Sequence, residues 1–446
     1  MKQTGRTPTR PVRVPGVTPE DLRAGTYSDA YFLNASRILA RSARAGERFR
    51  GTPLALREKA SGVASFRPGD AEVEIQFFAR RRPRFVAAGV PLALGLLRDG
   101  VERRPGAGVT EAPLTVQAIP EGTLTRPLRP VLVVRGRYRD FAHLETPVLG
   151  VLARCSRVAT NVYESLVASR GKPILFFPAR FDLPQGQPLD GYAYRVAIDL
   201  FEKRTGKRVS AHVSTDAQGA LSGERGTGTV PHAFILCYLG DTAEALLAFC
   251  RHAPLSVKRI ALVDTTNDCV GESVRTACRL FEEHLRLLRA GRPAAAARFV
   301  LYGVRADTSP EMRDRSVPPS PDPLLSRGVT PVLARLIRRA LDRAPAGLGL
   351  SGRWRRLADV YFRSVRIVAT GGFNPEKIRF FEAHRAPVDV YGVGSHMLRG
   401  EPNDYTADVV RVRVGGRFVI AAKAGRGPGR NPALRAVDLR GRRRRR

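Results

Sequence analysis

Several short segments of the 446-residue sequence set chemically capable side chains beside glycines or at the end of an apolar run. Ala369-Thr370-Gly371-Gly372-Phe373 follows VRIV, and Tyr391-Gly392-Val393-Gly394-Ser395 follows VDV. Glycines in such loops let backbone N–H groups approach a phosphate, and Ser or Thr hydroxyls add donors. The competing reading is a pair of tight turns. Gly228-Thr229-Val230-Pro231-His232 leads into AFILCYL. A histidine at the mouth of an apolar segment can serve as acid, base or phosphoryl-accepting nucleophile, although spacing alone favours an ordinary helix-start histidine. Gly303-Val304-Arg305-Ala306-Asp307-Thr308-Ser309 offers Arg305 as a two-pronged clamp for a carboxylate or phosphate. Asp307, with Asp264 of LVDTTND, has the oxygen donors that Mg²⁺ takes, but each Asp is equally placed to cap a helix.

Absent motifs narrow the chemistry. The chain has no P-loop, no dinucleotide-binding glycine fingerprint after its first strand and no His-Glu-x-x-His. His212, His252, His284 and His384 lack partners at ligand spacing and read as structural; His143 and His396 flank the segments of interest without independent support. The five cysteines are scattered, with no Cys-x-x-Cys pair, which argues against a disulfide framework or structural zinc. Lys and Arg number 75 against 41 Asp and Glu, a formal net charge of +34 that favours polyanions. The excess is almost all Arg, however, and no basic stretch carries interleaved aromatics or a nucleic-acid-binding signature. Nucleic acid is therefore not an expected partner. Neither a signal-peptide apolar region nor an 18-residue apolar run is present, so a reducing, cytoplasmic, non-membrane protein is expected.

These residues need elements to hold them. Residues 1–25, rich in Pro, Thr and Arg, are expected to be a disordered basic leader. A helix is expected over 29–40 with Ser28 as its N-cap, and strands over 71–78 (AEVEIQFF) and 131–134. A charged turn at 80–84 and a loop at 100–108 separate them. From residue 141 a long helical stretch leads to an apolar strand at 173–177. Repeated strand-then-helix units then follow: RVSAHVST, AFILCYL, RIALVDT, RFVLYGVRADT, SVRIVATGG and VDVYGVGS. That alternation predicts a parallel α/β sheet or barrel, and a barrel is favoured because candidate residues gather at strand C-terminal ends, where a phosphate sits between the last two strand–helix loops. The residues after 400 return to strand texture, and 440–446 (RGRRRRR) is expected to be a solvated tail.

The strings SDAY-FLNASRIL, FAHLETPVLGVLARCSRVATN, DGYAY, GTVPHAF, LVDT, GVRADTS, TGGFNPEKIRFFEAHRAPVDVYGVGS and YTADVVRV occur in that order. Over most of the chain, from about residue 27 to 439, the sequence resembles the nicotinate phosphoribosyltransferase family, particularly its archaeal and actinobacterial types. The resemblance implies an irregular type II phosphoribosyltransferase α/β barrel over 141–400. It also implies an N-terminal α/β sandwich domain over 26–140, completed by a C-terminal segment, 401–439. It further implies conversion of nicotinate and phosphoribosyl pyrophosphate (PRPP) to nicotinate mononucleotide and pyrophosphate in NAD biosynthesis. ATP hydrolysis through a phosphohistidine, Mg²⁺, and a homodimer with shared active sites go with it.

Position by position, the resemblance makes His232 the phosphoryl acceptor and Thr229 and Arg305 nicotinate-site residues, with Tyr31 as the stacking tyrosine presented to the neighbouring subunit. Ser395 takes the PRPP phosphate in a cradle shaped by Gly371, Gly372, Gly392 and Gly394, and Arg180 corresponds to a PRPP-contacting arginine. Departures are visible. Asp307-Thr308-Ser309-Pro310 stands where many members read Asp-Ser-Gly-Asp, Thr370 replaces a common serine, and no cysteine after Cys278 could form the zinc unit of some archaeal relatives. The ATP step is the part these changes touch most. Quinolinate or nicotinamide as the acceptor substrate, or a degenerate relative that binds nucleic acid, are the alternatives.

Overall fold

The computed structural model describes residues 10–80, 84–101, 114–400 and 404–439. The first nine leader residues, most of the charged turn, residues 102–108 of the expected loop and the 440–446 tail lie outside that set. The chain forms two compact units, residues 1–160, 188–200 and 400–446, and residues 161–187 and 201–399. The division falls inside the helix Glu145–Ala168, rather than at 140, and a second helical stretch, 188–200, joins the first unit.

The first unit is built on β1 (Glu72–Ala79), β2 (Phe85–Ala87), β3 (Thr115–Ala118), β4 (Thr123–Thr125) and β5 (Leu132–Arg137). In the second unit lie β6 (Ile174–Phe176), β7 (Ile260–Leu262), β8 (Gly303–Ala306), β9 (Arg366–Ala369) and β10 (Val390–Val393). After residue 400 come β11 (Tyr405–Val414), β12 (Arg417–Ile420) and β13 (Arg435–Val437). The first unit's sheet runs β12-β11-β1-β5-β3-β13, with β11 and β5 both antiparallel to β1. β1 alternates polar and apolar residues yet is buried almost throughout, so its polar side chains need partners inside. The Glu74 carboxylate receives Arg135 Nε at 2.7 Å, Gln76 Nε2 at 3.2 Å and the Arg411 guanidinium. The helix Val90–Val101 is apolar around nearly its whole circumference and buried to match. At its N-terminus Gly89 N and Val90 N donate to the two Glu121 carboxylate oxygens at 2.7 and 2.9 Å. Loss of water pushes that carboxyl up to about 7, against the pull of the two backbone N–H groups.

The leader is not wholly disordered. Thr18 caps the helix Pro19–Ala24 from its side chain, Leu22 is buried, and Val12 N donates to Pro91 O. Pro at the first helical position and acidic residues in the first turn explain why so short a helix forms. Ala30–Arg44 is the expected second helix, but Asp29 occupies the N-cap position rather than Ser28, and its carboxylate is taken by Thr146 Oγ1 at 2.9 Å. Gly100 closes Val90–Val101 instead of opening a loop.

The second unit holds an all-parallel sheet in the order β6-β10-β9-β8-β7, the crossovers being helical. Leu175, Ile260, Val368 and Val390 form one buried cluster, so residues from both edge strands, β6 and β7, share an interior. No pairing closes the sheet into a barrel among the described residues. Two expected strands are not strands. RVSAHVST contributes only an isolated bridge, Phe176 to Val213. AFILCYL is largely the helix His232–Leu236, where Pro231 takes the N-cap and Phe234 packs edge-on against Tyr238 at 5.3 Å. A short apolar run cannot be assigned by periodicity alone.

Candidate functional site

The C-terminal ends of the parallel strands surround a cavity of about 350 Å³ in the second unit. β6 delivers Phe177, Arg180 and Phe181; β8 delivers Arg305 and Asp307; β9 delivers Thr370, Gly371, Gly372 and Phe373; β10 delivers Gly392, Gly394 and Ser395. The segment 227–231 supplies the remaining wall, Thr229 included. Sequence-selected residues from five separate segments thus meet in one place, as strand-end loops of a parallel sheet should arrange.

The glycines have distinct roles. Gly371 and Gly372 have φ of +94° and +66°, two successive left-handed residues that side chains would strain. Among the described residues, no acceptor takes their N–H groups. Gly392 makes room: a Cβ there would lie 2.4 Å from Thr370 Cγ2. Thr370 in turn donates from Oγ1 to Asp307 Oδ1 at 2.7 Å, so the residue replacing a common serine still orients the carboxylate. A Cβ at Gly394 would lie 2.8 Å from the Phe181 ring.

The charges are less settled. Burial pushes the Arg305 guanidinium down from its ordinary value, partly offset by Asp307 and Asp264, and its Nε is buried without a hydrogen-bond partner. His232 Nε2 lies 3.0 Å from Asp264 Oδ1. Burial pushes the Asp264 carboxyl up, His232 pulls it down, and the Asp307 charge pushes it up again. Neither Asp caps a helix. Asp268 caps Cys269–Arg289, accepting from Gly271 N at 2.9 Å, and no helix follows Asp307 directly. Asp307 lines the cavity, whereas Asp264 and its partner His232 are not among the lining residues. No group of three or more His, Cys, Asp or Glu assembles among the described residues. Two carboxylates do suit a hard cation that keeps waters and takes substrate oxygens.

Tyr31 belongs to the first unit, on Ala30–Arg44, 64% exposed, and is not among the residues lining the cavity. Reading residue types missed Lys377, whose Nζ donates to Gly371 O at 2.9 Å and sits 4.5 Å from the centre of the Phe373 ring. The pairing of His232 with Asp264 was equally invisible, since both were noted but on unrelated segments. No described helix is long and apolar enough to cross a membrane.

Comparison with known proteins accords with this arrangement. Residues 58–156, within the first unit, match the family model of the quinolinate phosphoribosyl transferase N-terminal domain. A nicotinate phosphoribosyltransferase of Rattus norvegicus is 32% identical over 135 residues, 29% of this chain; the chain spans only 22% of that relative's length. The crystal structure of nicotinate-nucleotide pyrophosphorylase from Pyrococcus furiosus superposes over 97% of this chain and 87% of its own, with 25% identity and a TM-score of 0.61. The mixed α/β architecture with its parallel sheet is thus the type II phosphoribosyltransferase fold.

Proposed function

We propose that the chain is a nicotinate phosphoribosyltransferase of NAD biosynthesis, forming nicotinate mononucleotide and pyrophosphate from nicotinate and PRPP. The observation that carries this reading is the meeting, in one cavity, of two strand-end glycine loops with Arg305, whose buried Nε has no hydrogen-bond partner, and with the Gly371 and Gly372 N–H groups, which no acceptor among the described residues takes. Arg305 takes the ring carboxylate, with Thr229 beside it. The N–H groups of Gly371 and Gly372 and the Ser395 hydroxyl take the phosphate of PRPP, and Arg180 contributes a second cation.

The pyridine nitrogen attacks the anomeric carbon as the bond to pyrophosphate breaks, the electron pair leaving with pyrophosphate. An unprotonated pyridine needs no general base, so positioning and charge neutralisation supply the catalysis. Asp307 and Asp264 would hold Mg²⁺, which supplies charge neutralisation at the leaving pyrophosphate.

In the ATP-coupled step, His232 Nε2–H donates to Asp264, which leaves Nδ1 with its lone pair, and Asp264 takes that proton as the ring gains positive charge. Nδ1 forms a bond to the γ-phosphorus of ATP as the bond to the β-phosphate bridging oxygen breaks, releasing ADP. A cytoplasmic homodimer in which Tyr31 serves the neighbouring subunit completes the reading.

Quinolinate is the second reading, favoured by the family model matched at 58–156 and by Arg180 as a partner for a second carboxylate. Mass spectrometry of products from nicotinate, quinolinate or nicotinamide with PRPP and Mg²⁺, with and without ATP, separates these. Nicotinate mononucleotide formed faster with ATP, alongside ADP, is the expected result. Product from quinolinate with release of carbon dioxide and no ATP effect would replace it, and no product from any of the three would overturn both.

A further inference from the structure

Lys377 lies on the first turn of Pro375–Ala383, beyond the residues that line the cavity, and none of the chemistry described above uses it. Its backbone N donates to the N-cap Asn374 Oδ1 at 2.8 Å, which fixes the turn and with it the direction of the side chain. The ammonium reaches back to Gly371 O at 2.9 Å and is held over Phe373, a fully buried ring at the cavity wall. Burial pushes the ammonium down to about 8, against the attraction of Asp307. A cation kept in so poorly hydrated a place costs stability unless its contact does something there.

The contact determines which way a peptide faces. In a trans peptide the C=O and the following N–H point in opposite directions, and the chain has no cis peptide among its described residues. With the Gly371 carbonyl held by Lys377, which does not line the cavity, the Gly372 N–H points the opposite way, and Gly372 itself does line the cavity. With φ of +94° and +66°, the two glycines are free to flip, and nothing else bonds the Gly371 carbonyl. We propose that Lys377 is a positioning residue for phosphate recognition, holding the Gly371–Gly372 peptide in the orientation that presents its N–H to the phosphate of the phosphoribosyl substrate. This inference rests on the function proposed above, but its core, anion recognition by the glycine loop, can be tested apart from turnover.

The test compares the wild-type chain with Lys377→Met, of similar length and uncharged, and Lys377→Arg, which keeps a donor for the Gly371 carbonyl. The Met variant is expected to raise the KM for PRPP about tenfold, the scale of one charge-assisted hydrogen bond, with kcat and the KM for nicotinate changed less than about threefold. The Arg variant is expected to restore most of the loss. A PRPP KM unchanged by the Met variant, or kcat and both KM values worsening together with the melting temperature, would overturn the proposal.

Should the wild-type chain turn over no PRPP, the reading of its function fails, and titration with inorganic phosphate decides the inference independently. Tighter phosphate binding by wild type than by Lys377→Met supports it. Equal binding, or none to either, overturns it.

Discussion

Two charges drawn out of water, one fully and one in large part, are treated in opposite ways in the two units. Glu74 in the first unit's sheet is 2% exposed and fully engaged, with Arg135, Arg411 and Gln76 around one carboxylate. Arg305 at a strand end of the second unit is also withdrawn from water, yet its Nε has no acceptor and its charge is only partly balanced. A satisfied buried charge fixes a strand in place. On the function proposed above, an unsatisfied one lining a cavity is a binding group for a counter-charge, because an orphaned buried donor otherwise costs stability with no return.

The sharpest way to break this contrast is Arg305→Met. Activity toward the ring-carboxylate substrate should fall on the order of a hundredfold to a thousandfold in kcat/KM, while the melting temperature stays level or rises, since an unpartnered desolvated cation has been removed. Steady-state kinetics beside thermal denaturation of the same preparation decides it, and a clear loss of stability would mean that Arg305 is structural. The mirror experiment is Glu74→Gln. Stability should drop by about 2–3 kcal/mol, moderated because the two arginines can rehydrate, with kcat/KM of the folded fraction unchanged. Chemical denaturation with an activity assay distinguishes the outcomes.

Gly392→Ala probes how the site is supported. The added methyl must push Thr370 from its place, loosening its hold on Asp307, at about 1–2 kcal/mol of stability and a measurable loss of Mg²⁺-dependent rate. The smallest effect concerns Glu121. Its folded-state value is raised from 4.5 to about 7, so the stability it contributes is complete below about pH 4.5 and is lost as pH climbs to about 7. Melting temperature between pH 5 and 7.5 should therefore fall less in Glu121→Gln than in wild type, and equal slopes would show that another group titrates there.

The parallel sheet was legible because apolar runs ending in small residues mark strands with covered faces, and five such runs occur from Ile174 to Val393. RVSAHVST and AFILCYL misled because a handful of apolar residues fits either period, and Pro231 decided the second for a helix. In the site, glycine and Arg305 announced themselves by type. Lys377 did not, since a lysine on an exposed-looking helix turn is ordinary until the backbone it bonds is known. The His232–Asp264 contact joins residues 32 positions apart on different elements, information that only the fold supplies.

The pairing of β1 with β11 also sets a clock on synthesis. Val73 must find Val412 about 340 residues later, so at ordinary translation rates one side of the central strand stays unpaired for roughly 20–70 s. Throughout that interval β1 offers the growing chain an open hydrogen-bonding edge, while the whole of residues 201–399 emerges from the ribosome and can begin to fold. Slow, temperature-sensitive yields on expression are the expected cellular cost of closing the first sheet last, and better-matched elongation and chaperone capacity should relieve them.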